Sequence, residues 1–225
     1  MAVQLDFTRT STLVPSEVAN FTATVVGVGS IGSHVAEALA KTGVGKLVLW
    51  DADKVESHNL PNQGFYLNDL GMSKVAAVEK RLEEGTGADI EAVPSFFEEG
   101  AFGTRLVVSA LDSMAARKAV FKAFLLDPAA EVFIDGRMGS RFGKVFIVSK
   151  DDQKSVAFYM ESLHDDANAW TEPCTARSTI FCAYVIAGVM VATFVNWLLE
   201  ENYTHQASID LVNMQMFSST SRRKG

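Results

Sequence analysis

Apolar runs along this chain alternate with segments whose apolar residues recur every three or four positions. Five short apolar runs predict buried strands at 22–28, 46–51, 88–93, 105–112 and 131–136. The helical periodicity predicts helices from residue 30, over 72–84 and after residue 112. This alternation is typical of an α/β protein, so we expect a Rossmann-like, doubly wound, mostly parallel sheet with helices on both faces.

The C-terminal part of the chain departs from this alternation. Residues 139–150 follow the fifth predicted strand too closely for a helical crossover, so we expect them to extend the sheet in antiparallel fashion. Residues 151–173 are polar without a sustained period and predict a long crossover loop, and residues 208–217 predict a last strand. The domain organisation we expect is an N-terminal arm at 1–20, one α/β domain at 21–217 and a flexible tail at 218–225.

The apolar segment 178–199 contains no charged residue and reaches the length of about 20 residues that spans a bilayer. It also contains Thr193 and Asn196, has no basic flanks, and ends in Glu200 and Glu201. We therefore favour a buried core helix over a membrane span, with part of its surface in a subunit interface.

The composition argues against some classes of partner and of site. The net charge of −7 over 225 residues gives no broad basic surface, so we do not expect nucleic acid as a partner. The two cysteines, Cys174 and Cys182, form neither a disulfide framework nor the ligand set of a structural zinc site. The N-terminus has no secretory pattern, and we expect a cytoplasmic protein.

A glycine-rich turn follows the first predicted strand. Gly27, Gly29 and Gly32 form the pattern GxGxxG, where backbone N–H groups and a helix N-terminus can meet a phosphate, with Ser30 inside the turn. Asp51 follows Gly32 at the spacing of a carboxylate that binds ribose hydroxyls. Taken alone, this pattern also fits a tight packing turn without a ligand, or an NAD-dependent oxidoreductase.

Three further motifs add a family resemblance. "LVLWDADKVESHNLPNQ", "GMSKV" and "VVSALDSMAARKAV" resemble, in order, the signature segments of the E1-like activating enzymes, the superfamily of ThiF, MoeB and ubiquitin-type E1 proteins. The resemblance implies that the glycines cradle ATP, Lys74 reaches a phosphate and Asp112 holds Mg²⁺. It also implies that the following residues line the nucleotide site: Asp51, Asp53, Asn59, Asn62 and Gln63.

The sequence departs from the family pattern at one informative position. Asn62 stands where the family carries an arginine that contacts the phosphates, which weakens the case for fast adenylation. Arg9 lies in a segment that loosely resembles the one from which family members supply an arginine across the dimer. An exposed arginine in a flexible arm is an equally good interpretation of Arg9.

Cys174, in "EPCTARS", resembles the nucleophile segment of the ubiquitin-type E1 enzymes. A thiolate near a helix N-terminus and beside Arg177 has a lowered pKa and is a better nucleophile. The alternative is a relic of a family zinc CxxC whose second cysteine has become Arg177. We interpret Cys182, inside the apolar helix, as a small buried side chain.

The resemblance therefore implies an ATP- and Mg²⁺-dependent adenylyltransferase. Its substrate would be the C-terminal carboxylate of a small ubiquitin-like (β-grasp) protein or of a peptide, with Cys174 as a possible thioester site, and the enzyme would be a homodimer. Two alternatives stay open: a relative that adenylates a small-molecule or tRNA-borne carboxylate, and a non-catalytic dimeric scaffold that keeps the nucleotide-binding fold.

Overall fold

The computed structural model describes residues 5–164, 178–201, 203–218 and 221–222. It is an α/β structure, which confirms the predicted fold class. The strands are β1 (Thr22–Val26), β2 (Lys46–Trp50), β3 (Asp89–Val93), β4 (Leu106–Ser109), β5 (Val132–Gly139), β6 (Phe142–Ser149), β7 (Tyr203–Thr204), β8 (Gln206–Asp210), β9 (Gln215–Ser218) and β10 (Ser221–Arg222). The helices are α1 (Gly32–Thr42), α2 (Lys74–Thr86), α3 (Met114–Leu126), α4 (Gln153–Glu161) and α5 (Ile180–Leu198).

Eight of these strands form one sheet in the order β3-β2-β1-β4-β5-β6-β8-β9. The first five are parallel, and β6, β8 and β9 are added antiparallel. The chain leaves β1 toward β2 on one side and continues to β4 on the other, so the strand order reverses between β1 and β4. In doubly wound sheets, ligands bind at the carboxyl ends of the two strands that flank this reversal.

Helices cover both faces of the sheet. Residues of α1, α2 and α5 share one apolar core with the strands, and α3 and α4 form the second core on the opposite face. The second core is aromatic: Tyr159 of α4 packs its ring 4.5 Å from that of Phe121 and 5.1 Å from that of Phe133. The central parallel strands β1 and β4 and the first part of β5 are thus buried on both sides, whereas the edge strand β3 exposes Asp89 and Glu91.

The predicted crossover loop at 151–173 is wrong in its first part, because residues Gln153–Glu161 form α4. The Asp152 side chain accepts a hydrogen bond from the Lys154 N–H and so caps the helix. Ser155 and Tyr159 of α4 are buried, and Val156 and Phe158 are partly buried against the second core. Polar residues flank these few apolar residues in a short helix, so the sequence shows no sustained helical period. Residues 165–173 lie outside the described residues.

Smaller differences concern the ends of elements. Helix α1 begins at Gly32 rather than at residue 30. The predicted last strand at 208–217 is a hairpin, because β8 and β9 pair antiparallel around a turn that includes Met214 at a positive φ of 53°. The predicted flexible tail contributes β10, which pairs with β7.

Helix α5 is the helix among the described residues that is long and apolar enough to cross a bilayer, with a mean hydropathy of 1.9 and half of that window buried. Its inner face, including Ile186, Met190 and Phe194, joins the first core. Its outer face exposes Phe181 and Tyr184. The inner face fits the predicted core helix, and length and composition alone are weak evidence for a membrane span.

The predicted N-terminal arm lies against the edge of the sheet where the parallel strands begin. Residues Ser16–Asn20 form a short 3-10 helix that buries Val18. The ring of Phe7 packs at the end of α1, where a Cβ on Gly43 would lie 3.2 Å from it. The glycine turn is at the opposite end of α1.

Candidate active site

The glycine turn contacts the end of β4 directly. A Cβ on Gly27 would lie 2.6 Å from the Ala110 carbonyl oxygen, and Gly27 has a φ of +89° that side chains disfavour. A Cβ on Gly32 would lie only 1.8 Å from the Gly27 carbonyl oxygen. These two glycines are therefore required by the packing of β1, α1 and β4, with or without a ligand.

Gly29 differs from the other two glycines, because the nearest atom to a Cβ there would be Gln63 Oε1 at 4.0 Å. Packing thus leaves the space over Gly29 open, beside Ser30 and the N-terminus of α1. An open space over backbone N–H groups at a helix N-terminus suits a phosphate. This is the observation that favours a ligand over a packing turn alone.

Asp51, at the end of β2, is bound to the glycine turn. Its Oδ2 accepts a hydrogen bond of 2.7 Å from the Val28 N–H, and its Oδ1 accepts one of 2.9 Å from the Asp53 N–H. The carboxylate keeps further lone pairs, since each ionised carboxylate offers about four acceptor sites. It is therefore held in place by the backbone and still fits the predicted role toward ribose hydroxyls.

Lys74, the first residue of α2, is buried and paired with Asp53. Its Nζ lies 2.7 Å from Asp53 Oδ2, and its own N–H donates to the Asp53 carbonyl at 2.9 Å. The Lys74 side chain is 7% exposed and that of Asp53 is 61% exposed. The bridge between Lys54 and Ser73 fixes the same two segments to each other. The pair holds an ammonium group at the end of β2 where the nucleotide is expected.

The NLPNQ segment closes over the glycine turn. Gly64 N–H donates to Ser33 Oγ at 3.0 Å, and Ser33 Oγ donates to the Gly29 carbonyl at 2.7 Å. Asn59 is buried, and its side-chain oxygen accepts from the Glu56 N–H at 2.8 Å, which stabilises the short helix Ser57–Asn59. The position of the Asn59 side chain is therefore set by this contact with Glu56 at the start of the short helix.

Asn62 and Gln63 each carry a buried side-chain oxygen without a hydrogen-bond partner among the described residues. Asn62 Nδ2 donates to Ser178 Oγ, just before α5, and Gln63 Oε1 is the atom nearest to Gly29. Buried polar atoms ordinarily have partners, so two free acceptors beside an open glycine turn fit a site that takes up a ligand with N–H or O–H groups.

Asp112 lies two residues beyond Ala110, at the edge where the glycine turn meets β4. It is exposed and makes no hydrogen bond or ion pair within the part of the chain that the structure describes. The cap of α3 is Ser113, whose side chain accepts from the Ala116 N–H at 3.1 Å. Asp112 is therefore not needed as the cap of α3, and its carboxylate is available to a ligand.

A single carboxylate at this position fits Mg²⁺, which takes one or two protein carboxylates and completes its shell with water and phosphate oxygens. Over residues 5–164, 178–201 and 203–218 there is no group of three or more His, Cys, Asp or Glu residues that could hold a metal by themselves. A metal at Asp112 would therefore depend on the phosphates of a nucleotide for most of its ligands.

Sequence reasoning missed one buried ionic network next to this site. Asp135, fully buried on β5, accepts hydrogen bonds from Arg117 of α3 and from Arg137. Arg117 also donates to the carbonyl oxygens of Leu111 and Gly136. An acidic residue inside the apolar run "EVFIDG" was the available signal, because a buried carboxylate in a strand requires a partner.

One predicted catalytic residue, Arg9, is not brought to the site within one copy of the chain. Arg9 is exposed, two residues after Phe7, at the edge of the sheet opposite the glycine turn. Cys174 and Arg177 lie outside the described residues. Cys182 is buried in α5, where its Sγ lies 3.7 Å from the Phe142 carbonyl oxygen and burial raises the pKa of the thiol.

The sequence model of the ThiF family matches residues 3–224. The chain belongs to the ThiF family. This membership confirms the resemblance that the glycine, aspartate, lysine and strand-end motifs indicated, and it leaves the oxidoreductase interpretation without support.

Several relatives of this ThiF-family chain are named ubiquitin-like modifier-activating enzyme 5. The protein from Bombyx mori is 33% identical over 208 residues, which cover 82% of this chain and 52% of the relative. That from Branchiostoma floridae is 28% identical over 205 residues, covering 80% and 50%. The chain thus spans about half the length of these curated relatives.

Solved structures of the same fold have lower sequence identity. Escherichia coli MccB, in a crystal structure with ATP, superposes with a TM-score of 0.68 at 16% identity, over 91% of this chain and 64% of MccB. PaaA superposes with a TM-score of 0.70 at 16% identity, over 92% of this chain and 74% of PaaA. These likenesses confirm the predicted fold of this ThiF-family chain.

Proposed function

We propose that this chain is an ATP-dependent adenylyltransferase that activates the C-terminal carboxylate of a ubiquitin-like protein or peptide. The observation that carries the proposal is the convergence, at one edge of the sheet, of the open turn at Gly29, the buried ammonium of Lys74 and the carboxylate of Asp112, which has no partner among the described residues. Phosphate binding, positive charge and metal binding are the three requirements of adenylation.

In the proposed reaction, a carboxylate oxygen of the substrate attacks the α-phosphorus of ATP. The bond between this phosphorus and the bridging oxygen breaks, and pyrophosphate leaves with the electron pair. The nucleophile is already an anion, so no general base is needed. The glycine turn would orient the phosphates and Lys74 would neutralise charge that develops on them. A Mg²⁺ ion at Asp112 would supply further charge stabilisation.

The names of the relatives support this substrate class. The Bombyx mori and Branchiostoma floridae relatives are named as enzymes that activate a ubiquitin-like modifier. MccB has been crystallised with ATP and with MccA. The names of the relatives support a ubiquitin-like protein as the substrate, and the MccB structure with ATP supports ATP as the nucleotide.

A second step through Cys174 is part of the proposal. Its thiolate would attack the carbonyl carbon of the acyl adenylate, forming a thioester and releasing AMP. Mass spectrometry of the intact protein under non-reducing conditions would detect the adduct, and hydroxylamine would remove it. Cys174→Ser would keep pyrophosphate exchange but lose a thiol-sensitive adduct. A stable thiol-sensitive adduct on Cys174→Ser would contradict this step.

A homodimer is also proposed, because the outer face of α5 exposes Phe181 and Tyr184 and such a face is stabilised by burial against a partner. Arg9 lies far from its own glycine turn, so it would serve the site of the other copy. Light scattering tests the dimer. We retain the expectation of a cytoplasmic protein with neither nucleic acid nor membrane as its partner.

The experiment that tests the function is ATP–pyrophosphate exchange with Mg²⁺, using purified ubiquitin-like proteins that end in a free C-terminal glycine. Wild type should exchange, Asp112→Ala should not, and Asp89→Ala should behave as wild type because Asp89 is exposed at the opposite edge of the sheet. Mg²⁺–ATP binding is measured on the same proteins. ATP binding without pyrophosphate exchange, with every ubiquitin-like protein that is tried, would contradict the proposed catalysis.

The second candidate function is a non-catalytic, nucleotide-binding scaffold. Asn62 favours it, because an amide that donates to Ser178 stands where a phosphate-binding cation is expected. A scaffold would bind ATP but would not exchange pyrophosphate. Turnover by the wild-type protein would rule the scaffold out, whereas turnover only after Asn62→Arg would support a wild type that has lost catalysis at this position.

A further inference from the structure

The carboxylate of Asp135 lies between two guanidinium groups in the interior, at the carboxyl end of β5. Asp135 is fully buried, and Arg117 and Arg137 are nearly so. Arg137 Nε lies 2.6 Å from Asp135 Oδ2, while Arg117 donates to Oδ1. A carboxylate flanked by two charged donors is held far more firmly than an exposed pair, since little water competes for its lone pairs.

Arg117 connects this carboxylate to the site. One terminal nitrogen donates to Asp135 and, at 3.2 Å, to the Gly136 carbonyl oxygen. The other donates to the carbonyl oxygen of Leu111, which is the peptide group immediately before Asp112. The planar guanidinium fork therefore fixes the backbone from which the Asp112 side chain projects.

Arg137 fixes the opposite side of the network. Beyond Asp135, it donates to the carbonyl oxygen of Ser162 at 3.1 Å and to its Oγ at 2.9 Å. Its guanidinium lies 4.3 Å from the centre of the Phe146 ring. Asp135 is thus anchored independently of Arg117, so that Arg117 has a rigid support on the side away from Leu111.

Asp112 itself has no such support. It is exposed and makes no hydrogen bond or ion pair within the described part of the chain. Its direction is set only by the backbone between the Leu111 carbonyl, which Arg117 binds, and Ser113, which caps α3. Metal ligands without a firm second contact bind more weakly, and outer-sphere partners of ligands are worth about 10- to 100-fold in metal affinity.

We propose that Arg117 is a positioning residue that holds the Asp112 carboxylate toward the metal–phosphate site through the Leu111 carbonyl. Asp135 and Arg137 hold Arg117 in turn. This inference rests on the proposed function, in which Asp112 binds Mg²⁺ together with a nucleotide. A lysine at position 117 would keep the charge but could not reach Asp135 and Leu111 with a rigid fork.

The test measures ATP binding by calorimetry without divalent cation and over a titration of Mg²⁺, so that it does not depend on turnover. Arg117→Lys should weaken the apparent Mg²⁺ affinity in the presence of ATP by about 10- to 100-fold, while Mg²⁺-free ATP affinity stays as in wild type. Asp112→Asn should abolish the Mg²⁺-dependent increment. Arg137→Lys should lower the Mg²⁺-dependent increment less than Arg117→Lys does.

Arg105→Lys is the matched control, because Arg105 also makes a two-point ion pair, with Glu131 at 2.6 and 2.9 Å, away from the glycine turn. It should leave the Mg²⁺ dependence unchanged. A merely structural role of Arg117 would lower stability and ATP affinity together, without a selective effect on Mg²⁺. If Arg117→Lys does not fold, a wild-type Mg²⁺ increment in Arg137→Lys overturns the proposal.

The outcomes separate this inference from the proposed function. An increment that Asp112→Asn removes but Arg117→Lys retains overturns the positioning role alone. The absence of any increment in wild type overturns the metal role of Asp112 and the positioning role with it. A selective loss in Arg117→Lys supports both.

Discussion

The ammonium group of Lys74 is buried, and the carboxylate 2.7 Å from it, on Asp53, is exposed. The two partners of this ion pair therefore differ in exposure, and the loss of each has a different cost. Removing the lysine leaves a carboxylate that water can solvate, whereas removing the aspartate leaves a buried cation without its counter-charge.

This inequality predicts different effects of two single substitutions. Asp53→Asn should destabilise the protein by about 1–2 kcal/mol, and Lys74→Met should cost less. Nucleotide affinity should follow the opposite order, with Lys74→Met losing about tenfold or more in ATP affinity and Asp53→Asn losing less than that. Urea unfolding and calorimetric ATP titration on both variants check the two orders. Equal losses of stability in Asp53→Asn and Lys74→Met would contradict the conclusion that burial of Lys74 makes its counter-charge the more important partner for stability.

Two glycines of one turn should respond oppositely to alanine. Gly29→Ala should fold to within about 1 kcal/mol of wild type, because space is open there and its φ is not positive. It should nevertheless weaken ATP binding, since the methyl group enters the phosphate approach. Gly32→Ala should destabilise by about 3 kcal/mol through its clash with the Gly27 carbonyl. Thermal unfolding and ATP titration distinguish them, and unchanged ATP affinity in Gly29→Ala would argue against a phosphate at this turn.

Asn62→Arg should strengthen ATP binding by about tenfold, because a charge-assisted hydrogen bond to phosphate is worth about 1.5 kcal/mol or more. The gain should be larger for ATP than for AMP. Asn68→Arg is the matched control, since it adds the same charge at an exposed position of the short 3-10 helix Leu67–Asp69. Equal effects of the two substitutions would show that net charge alone is responsible.

The sequence predicted the parts of the site that local patterns define. Gly27, Gly29 and Gly32 follow a buried strand, and Asp51 and Asp112 end two further strands, so parallel pairing brings them to one edge. The ion network of Asp135 was not predictable, because its pairing with Arg117 depends on how α3 packs across β5. Helix α4 was missed because its few apolar residues, Val156, Phe158 and Tyr159, lie in an otherwise polar segment, and they form a helix only where they pack on the second core.

His34 makes the folding stability depend on pH, in a direction that follows from the shift of its pKa. Burial lowers the pKa of its imidazole from the usual value near 6.5; the nearby charge of Glu37 opposes the shift and that of Arg81 adds to it. As pH falls through about 6.5, the unfolded chain takes up a proton at this position before the folded chain does. Folding stability is therefore present above that pH and is lost as pH falls toward the lower, folded-state pKa.

The pH prediction is tested by urea unfolding at pH 7.5 and pH 5.5. Wild type should lose more stability over this interval than His34→Gln, since the substitution removes the group that resists protonation. His58→Gln should behave like wild type, because His58 is exposed. The same loss in wild type and His34→Gln would contradict the assignment to His34.

The two cysteines should differ in reactivity in the native protein. Cys182 is buried in α5 and burial raises the pKa of its thiol, and the thiolate is the reactive form. Cys174→Ser should therefore react only slowly with N-ethylmaleimide under native conditions and at once in concentrated urea. Cys182→Ala should keep the native labelling of wild type, because the remaining thiol would carry it. Fast native labelling of Cys174→Ser would mean that α5 opens readily and that Cys182, rather than Cys174, must be considered as an acceptor of the acyl group.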